Sequence, residues 1–476
     1  MLFNSLEFFL FLPLIFILYW FVFQRNLKLQ NALVLAASYV FYGWWDWRFL
    51  LLIFLSSLVD FICGQRIEDS DDKKVRKRWM YLSVAVNLGM LGFFKYFNFF
   101  VESFIDAFSF IGLNLHISTL QIILPVGISF YTFQTLSYTI DVYRKRAKAS
   151  REPISFFAFV SFFPQLVAGP IERAKDLIPQ FEIKRNFSYE QAVSGAKLLL
   201  WGLFKKIVVA DHCALHADEI FGNYTAYGGS DLFLGIYFFF AMQLYCDFSG
   251  YSDVAVGTAR LFGFELSRNF AFPYFSRDIA EFWKRWHITL GTWFRDYMYR
   301  SMEASSFFGR FGRPTNLLLM FIAIGLWHGA SWNFFLWGTC NGIWFLLHMR
   351  LRQNPKNAAK FENRSENAKM SEMPQVIYTL GVAGLLLVFF RVPDFAAGIG
   401  YLYNLMSWDF FTWPTKFWAA FLPLGLKIWE WQVRDRWHGL QLPHWKSWQR
   451  WVVYVLMVFS IFYYFGQERP FVYFQF

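Results

Sequence analysis

Apolar runs of membrane-spanning length follow one another along the chain, and short polar stretches separate them. A helix needs about 20 mostly apolar residues to cross the hydrocarbon core of a bilayer. The pattern therefore predicts an all-α polytopic membrane protein. The predicted membrane helices are Leu6–Phe23, Asn31–Trp45, Arg48–Gly64, Met80–Phe100, Gln121–Val142, Ala192–Ala210, Asp231–Cys246, Leu317–Trp327, Trp332–Met349, Ile377–Phe390, Phe417–Trp429 and Trp451–Phe465.

Several of these runs are too short to cross a bilayer unaided, and glycine and proline interrupt the pattern between Ile154 and Ile171. Broken backbone at membrane depth needs protein partners for its hydrogen bonds. We expect Ile154–Ile171 to be re-entrant and to return to the side it left. No internal repeat is visible in the sequence, which weighs against an inverted-repeat transporter. The chain is predicted to form a single membrane domain over residues 1–476.

The stretch from Arg277 to Tyr297 has a different pattern. Aromatic residues recur there at helical spacing, and charged residues occupy much of the remainder. Such a segment is too charged to span a membrane and is typical of a helix that lies in the interface. We expect one amphipathic helix at the cytoplasmic face, with its indoles in the headgroup region.

The composition is also that of a membrane protein, because 56% of the residues are apolar and only 17% are charged. The net charge of +11 does not indicate nucleic-acid binding, since the basic residues lie in short loops rather than on one face of a soluble module. Positively charged loops favour the cytoplasm. This rule places both termini outside and four basic stretches inside: Arg25 with Lys28, Lys73 to Arg78, Arg144 to Arg151, and Arg350 to Lys369.

The first apolar run, Leu6–Phe23, has no basic region before it and no small-residue cleavage site, so we interpret it as a membrane helix rather than a signal peptide. Cys63, Cys213, Cys246 and Cys340 lie in apolar stretches without a CxxC or Cys/His cluster. We therefore expect the cysteines to be packing residues, with neither a metal site nor a disulfide framework.

His328 is the leading candidate for chemistry. It lies between two short apolar runs, which places it near a turn deep in the membrane, and Gly325 and Gly329 leave room beside it. A polar residue at that depth is costly and is a functional suspect. An imidazole, whose unperturbed pKa is near neutral, can act as a general base toward a hydroxyl. The alternative is a structural histidine bonded to a backbone carbonyl at a helix bend.

Two other polar positions are weaker candidates. His287 lies in the amphipathic stretch and, on the residues alone, is better interpreted as an ordinary interfacial histidine. Neither histidine has the spacing of a metal-binding motif. Asp247 interrupts an apolar run, where a carboxylate normally pairs or faces a cavity. Asp247 either orients a histidine or neutralises a nearby arginine, and the structural pair is the favoured interpretation.

Ordered motifs run nearly from end to end of the chain: Tyr42-Gly43-Trp44, Leu124 to Gln134, Phe162 to Ile171, Asp247 to Asp253, Phe282 to Leu290, Trp327-His328-Gly329 and the terminal Phe471 to Phe476. In this order they resemble the membrane-bound O-acyltransferase (MBOAT) family, and within it the bacterial branch of alginate and peptidoglycan O-acetyltransferases. The resemblance implies a ring of membrane helices around a thinned centre. It also implies a tunnel in which a cytosolic acyl thioester meets an acceptor from the other face.

The resemblance also assigns roles to residues. The histidine of the family's Trp-His-Gly motif corresponds to His328 and the second family histidine to His287, so both are catalytic candidates, with Asp247 and Trp327 in supporting positions. The phosphates of a coenzyme A donor are expected near three basic residues, for which binding of lipid headgroups is an equally good interpretation. These residues are Arg277, Lys284 and Arg285.

The expected function is O-acyl transfer in the bacterial inner membrane, from acetyl-CoA or another acyl thioester to a hydroxyl used in acetylating an alginate-like polysaccharide or peptidoglycan. The resemblance implies no tightly bound cofactor, and it implies a periplasmic acetyltransferase partner. The alternatives are D-alanyl or fatty acyl transfer by the same fold, or a transporter or flippase. A transporter would use Asp247, Asp253 and His328 as a relay for ions or protons.

Overall fold

The computed structural model describes residues 1–113, 119–354, 361, 364–466, 469 and 471–472. Within these residues the regular structure is helical and no strand occurs, so the all-α prediction is confirmed. The α-helices are α1 (Leu6–Ile17), α2 (Leu27–Asp46), α3 (Arg48–Glu68), α4 (Lys73–Leu91), α5 (Phe97–Phe110), α6 (Ile128–Tyr143), α7 (Pro153–Ser161), α8 (Ala174–Glu182), α9 (Tyr189–Leu203), α10 (Asp211–Gly222), α11 (Gly229–Leu234), α12 (Ala241–Leu261), α13 (Ile279–Arg285), α14 (Ile288–Trp293), α15 (Arg300–Glu303), α16 (Gly312–His328), α17 (Trp332–Gln353), α18 (Met373–Arg391), α19 (Phe395–Leu405), α20 (Phe421–Val433) and α21 (Ser447–Tyr464).

Every predicted membrane run contains helix, and short π-helical segments join several of the α-helices into longer rods. Four rods are long and apolar enough to cross a membrane: Arg48–Glu68, Lys73–Phe110, Gly229–Leu261 and Met370–Arg391. The predicted run Gln121–Val142 was wrong at its start. Its helix begins only at Ile128, because Gly127 has a φ of 75° and a Cβ there would lie 2.6 Å from the carbonyl oxygen of Leu166.

The segment predicted to be re-entrant contains only a short helix. Helix α7 has 9 residues, too few to cross a bilayer, and residues 162–173 that follow it are irregular. Most of this segment is buried, which gives its broken backbone the protein surroundings that it needs. Its buried Glu172 accepts hydrogen bonds from the backbone N–H and the hydroxyl of Ser267.

Two compact units divide the chain. The N-terminal unit comprises Met1–Gly195 with Thr258–Ser267, and the C-terminal unit comprises Ala196–Gly257 with Arg268–Phe476. The single domain over residues 1–476 and the ring with its tunnel stay predictions. The basic stretch from Arg350 to Lys369 and the terminal motif Phe471 to Phe476 are only partly covered, since residues 355–360, 362–363 and 473–476 lie outside the described residues.

The N-terminal unit has a polar centre among its helices. Helices α3, α4 and α6 pack around Asp60, whose carboxylate accepts hydrogen bonds from Ser83 Oγ at 2.5 Å and from Asn87 Nδ2 at 2.8 Å. The buried guanidinium of Arg185 lies over the Phe264 ring and donates to Asn31 Oδ1 at 2.5 Å. The Asp60 carboxylate is thus satisfied by neighbouring side chains, as most buried polar groups are.

Helices α16 and α17 form a tight antiparallel hairpin in the C-terminal unit. A Cβ added to Gly325 would lie 2.2 Å from the carbonyl oxygen of Phe334 and 3.0 Å from the Cα of Gly338. Only glycine permits the two backbones to approach so closely. The hairpin therefore holds its closed end, where α16 stops and α17 starts, in one position.

Candidate active site

His328 is the last residue of α16, at the closed end of the hairpin, so the predicted turn is confirmed. Its side chain is buried, with 2% of the residue exposed. Three aromatic rings surround the imidazole, with centroid distances of 5.1 Å to Trp327, 5.3 Å to Trp337 and 5.3 Å to Phe390. These rings keep bulk water away from the imidazole and leave it in an apolar environment.

The glycines beside His328 do not leave the open space that the sequence suggested. A Cβ on Gly329 would lie 2.1 Å from the Phe334 ring, and one on Gly325 would collide with the backbone of α17. The room that these glycines provide is filled by the neighbouring helix. Their function is to bring α17 close, so that Trp337 on α17 contacts the imidazole.

The segment from Arg277 to Tyr297 is not one helix, and that prediction was wrong. Helix α13 ends at Arg285, Trp286 is extended, and His287 has a φ of 43° before α14 begins. The break is stabilised because His287 Nδ1 accepts a hydrogen bond from the backbone N–H of Leu290, which caps α14. A positive φ in a residue other than glycine is uncommon and is often found at functional sites.

Because of this break, the His287 side chain lies in the protein interior rather than at the membrane interface. Only 1% of the residue is exposed, and its ring lies 4.6 Å from Phe248 and 5.7 Å from Trp327 between centroids. The interfacial interpretation of His287 was therefore wrong. Trp327 contacts both histidine rings, so the structure brings His287, Trp327 and His328 together.

Burial lowers the pKa of His287 to about 3, which leaves the ring neutral at physiological pH. A neutral imidazole carries one proton, and Nδ1 acts as an acceptor toward Leu290. We therefore assign the proton to Nε2, which makes that nitrogen a hydrogen-bond donor. In this tautomer Nε2 is the nitrogen that can donate a hydrogen bond, and Nδ1 is occupied by the N–H of Leu290.

Asp247 is held by a lysine and by the backbone near the C-terminus. Its carboxylate lies 2.8 Å from Lys206 Nζ and accepts a hydrogen bond from the N–H of Val472 at 2.6 Å. The favoured structural pair is thus present, but its partner is a lysine rather than an arginine, and among the described residues no histidine bonds to Asp247. Asp253 pairs with Lys205 at 2.7 Å. Both carboxylates of the alternative transport relay are therefore bound to lysines.

A basic cavity of about 1010 Å³ lies beside α13. It is lined by nine basic side chains and four acidic ones. The basic residues are Arg268, Arg277, Lys284, Arg285, Arg352, Arg364, Lys369, Arg434 and Arg436, and the acidic ones are Asp278, Glu281, Glu366 and Asp435. The excess of positive charge favours an anionic ligand.

The three predicted donor-binding residues all line this cavity, but they are not equivalent. Arg277 binds Glu281 at 2.9 Å and Glu372 at 3.0 Å, and Arg285 binds Glu281 at 2.9 Å. These two arginines thus have structural partners. Lys284 is exposed and has no acidic partner among the described residues, which leaves its ammonium available to a ligand.

Sequence reasoning missed further basic residues of the cavity. Arg352 and Lys369 were noted only as part of a loop that sets the orientation, and Arg436 was not noted at all. Among the described residues none of the three has a salt bridge. Instead, the Nη2 atom of Arg436 lies 3.4 Å from the Nε2 atom of His444. Clusters of basic residues in loops were the available signal, but the sequence does not show which loops meet.

Helix α13 connects the cavity to the histidines. Lys284 faces the cavity, whereas the ring of Trp283 lies 5.9 Å from that of Trp337, which in turn contacts His328. Along α17, Arg352 at the cavity and Trp337 at the histidines are separated by roughly 22 Å at a rise of 1.5 Å per residue. A ligand held at the Arg352 side of the cavity must therefore extend over this distance to reach His328.

A second, smaller cavity lies at the other end of the span Met370–Arg391. The basic cavity is at the start of this span, where Glu372 binds Arg277. At its end Arg391 binds Asp218 at 2.7 Å, and Asp218 lines a polar cavity of about 230 Å³ with Lys206 and Asp247. A membrane-spanning helix thus has a cavity at each end, and Phe390 near its end contacts His328.

No group of three or more His, Cys, Asp or Glu side chains placed to hold a metal ion occurs in the part of the chain that the structure describes. The four cysteines carry no disulfide. All are buried or partly buried in the apolar helices, as expected for packing residues.

The comparisons with known proteins point to one family. A sequence profile of the membrane-bound O-acyltransferase family matches residues 144–369. The chain is similar to the probable alginate O-acetylase AlgI of Pseudomonas putida, with 42% identity over 353 residues that cover 74% of this chain and 71% of the relative.

More distant relatives carry different printed functions. The peptidoglycan O-acetyltransferase of Helicobacter pylori is 32% identical over 440 residues, which cover 86% of this chain and 80% of the relative. The teichoic acid D-alanyltransferase of Streptococcus thermophilus is 27% identical over 303 residues, which cover 59% of this chain and 69% of the relative.

Proposed function

Because this chain belongs to the membrane-bound O-acyltransferase family, we propose that it transfers an acetyl group from a cytosolic thioester to a hydroxyl on the other side of the membrane. The observation that carries the proposal is the position of His328. Its imidazole is enclosed by aromatic rings on a hairpin that is fixed by close backbone contact, and helix α13 connects this place to a basic cavity.

In the proposed reaction His328 is the general base. It removes the proton of the acceptor hydroxyl as the oxygen attacks the thioester carbon, the bond to sulfur breaks, and the proton then passes to the departing thiolate. His287 donates from Nε2 to the reacting groups and so orients them. Trp327 positions the two rings. The aromatic surroundings exclude water, which otherwise competes with the acceptor for the acetyl group.

The basic cavity is the proposed binding site for the donor. Acetyl-CoA carries several phosphate charges at one end and its thioester at the end of a long flexible arm. The cavity has an excess of basic side chains, and His328 contacts Trp337, about four turns of α17 away from Arg352 at the cavity. The two parts of the donor thus match the basic cavity, which we propose faces the cytoplasm, and the proposed reaction site at His328.

The proposed acceptor serves the O-acetylation of a cell-surface polysaccharide in the bacterial inner membrane, with a periplasmic acetyltransferase as the partner that completes delivery. The higher identity to the alginate and peptidoglycan acetylases than to the D-alanyltransferase favours acetate over D-alanine as the transferred group. The basic loops favour the orientation with the cavity in the cytoplasm.

The experiment that tests this function uses the full chain in nanodiscs with acetyl-CoA. Release of free coenzyme A thiol is followed with a thiol-reactive dye, with and without a soluble extract of periplasmic proteins and polysaccharide. We expect thiol release that rises with the acceptor extract. A transporter leaves the thioester intact, so no thiol release under either condition would refute the proposal.

Reversing the charge of Lys284 should weaken donor binding selectively. For Lys284→Glu we expect KM for acetyl-CoA to rise on the order of tenfold, equivalent to about 1.4 kcal/mol, because the ammonium is exposed to the cavity and unpaired among the described residues. KM for acetyl-pantetheine, which lacks the nucleotide phosphates, should not change. Initial rates against donor concentration measure both values.

The matched control for this prediction is Lys74→Glu, which reverses an exposed charge on α4. That variant should keep the wild-type KM for both donors. Added salt should reduce the difference between Lys284→Glu and wild type, since exposed charges are screened. An equal rise of KM for acetyl-CoA and acetyl-pantetheine would show that Lys284 does not recognise phosphate.

A further inference from the structure

Trp283 has an indole N–H that the structure leaves without an acceptor. Its Nε1 is inaccessible to solvent and makes no hydrogen bond to any described residue. The ring packs edge-on against Phe321 at 5.5 Å and Trp337 at 5.9 Å between centroids, which fixes its orientation. A buried donor without a partner is unfavourable and rare in native proteins, so it calls for a reason.

The position of this donor suggests the reason. Trp283 precedes Lys284, which lines the basic cavity, and its ring contacts Trp337, which contacts His328. A thioester whose arm runs along α13 from Lys284 at the cavity toward Trp337 and His328 would pass the indole. Negative charge develops on the carbonyl oxygen during attack by the hydroxyl, and a fixed donor in a dry site stabilises that charge.

We propose that Trp283 donates its indole N–H to the carbonyl oxygen of the donor thioester and stabilises the oxyanion, an inference that rests on the proposed function. The hydroxyl oxygen bonds to the carbonyl carbon while His328 takes its proton, and the carbonyl electron pair moves onto oxygen, where the indole N–H faces it. The carbon–sulfur bond then breaks, the carbonyl re-forms, and the thiolate receives the proton from the imidazolium.

The role is tested by two replacements that remove the N–H and keep an aromatic side chain. In Trp283→Phe we expect kcat to fall roughly 10²-fold, as for the loss of one oxyanion donor in other enzymes. KM for acetyl-CoA should stay within about twofold of wild type, because the interaction strengthens only in the transition state. Incorporation of 3-benzothienylalanine at position 283, which keeps the shape and replaces the N–H by sulfur, should give the same loss.

Two results would overturn the role. Recovery of wild-type kcat with benzothienylalanine would show that the shape of the ring, and not its N–H, is required. Unchanged kcat in Trp283→Phe would exclude any contribution to the chemical step. Trp201→Phe, which alters a buried indole packed on Phe204, is the control for general effects of losing an indole and should keep the wild-type kcat.

The same measurements separate this inference from the proposed function. Thiol release from acetyl-CoA by the wild-type protein tests acyl transfer itself. If the wild type releases no thiol, the proposed function fails and the inference fails with it. If the wild type is active and Trp283→Phe is equally active, only the role of Trp283 is refuted.

Discussion

Replacement of His328 by alanine should abolish acetyl transfer while the protein still inserts and purifies as a folded species. A positioned general base contributes about 10²- to 10⁴-fold to a rate, and no other described imidazole contacts Trp337 and Phe390. We therefore expect kcat for thiol release to fall by at least that range. Loss of the imidazole leaves a small cavity beside the rings of Trp327, Trp337 and Phe390, so we expect the variant to fold.

The measurement is the initial rate in nanodiscs at saturating acetyl-CoA, with thermal unfolding and gel filtration as checks of folding. His212→Ala is the matched control, because His212 is half-buried, bonds to the carbonyl oxygen of Ala419 and lies outside the aromatic cluster. It should keep near-normal turnover. Near-normal turnover in His328→Ala as well would make His328 a packing residue and would refute the mechanism.

Removal of the Lys206 charge should destabilise the protein strongly. Its ammonium lies 2.8 Å from Asp247 and 2.9 Å from Asp211, and only 6% of the residue is exposed. Lys206→Met leaves two buried carboxylates without their cation, and breaking a buried ion pair in this way typically costs about 3–5 kcal/mol. We expect a large decrease in the unfolding temperature and a low yield of folded protein.

The double variant Lys206→Met/Asp247→Asn tests whether uncompensated buried charge causes the loss of stability in Lys206→Met. It removes one of the two carboxylates and should recover part of the unfolding temperature. Lys175→Met, at an exposed position of α8, should leave the unfolding temperature unchanged. If Lys206→Met is as stable as wild type, the stability of the protein does not depend on the ion pairs of Lys206 with Asp247 and Asp211.

The membrane helices and the turn at His328 could be predicted because they depend on local sequence. Length and apolar composition determine which runs are helical in a bilayer, and the His328 turn lies between two such runs. The predictions that were wrong concern positions whose conformation depends on residues distant in the sequence. Aromatic spacing suggested one helix through His287, but burial of its ring beside Phe248 and Trp327 favours a capped break.

The ion-pair partners of the charged residues could not be predicted from the sequence either. Asp247 is paired by Lys206, which precedes it by about forty residues and belongs to a different helix. Arg277 and Arg285 were expected to face a ligand, but Glu281 lies one turn away from each and takes up their charge. His287 was the weaker catalytic candidate because an interfacial position was expected for it, and its buried position removes that argument.

The cavities at the two ends of the span Met370–Arg391 have a consequence for energetics. In the proposed reaction the hydroxyl enters from the Arg391 end, and the thiol departs through the basic cavity with the proton that the hydroxyl lost. Each turnover then moves one proton inward and one acetyl group outward, so the net charge on each side of the membrane is unchanged. The exchange is therefore electroneutral, and we expect its driving force to be independent of the membrane potential. Acetylation at the cell surface is then driven by thioester cleavage alone.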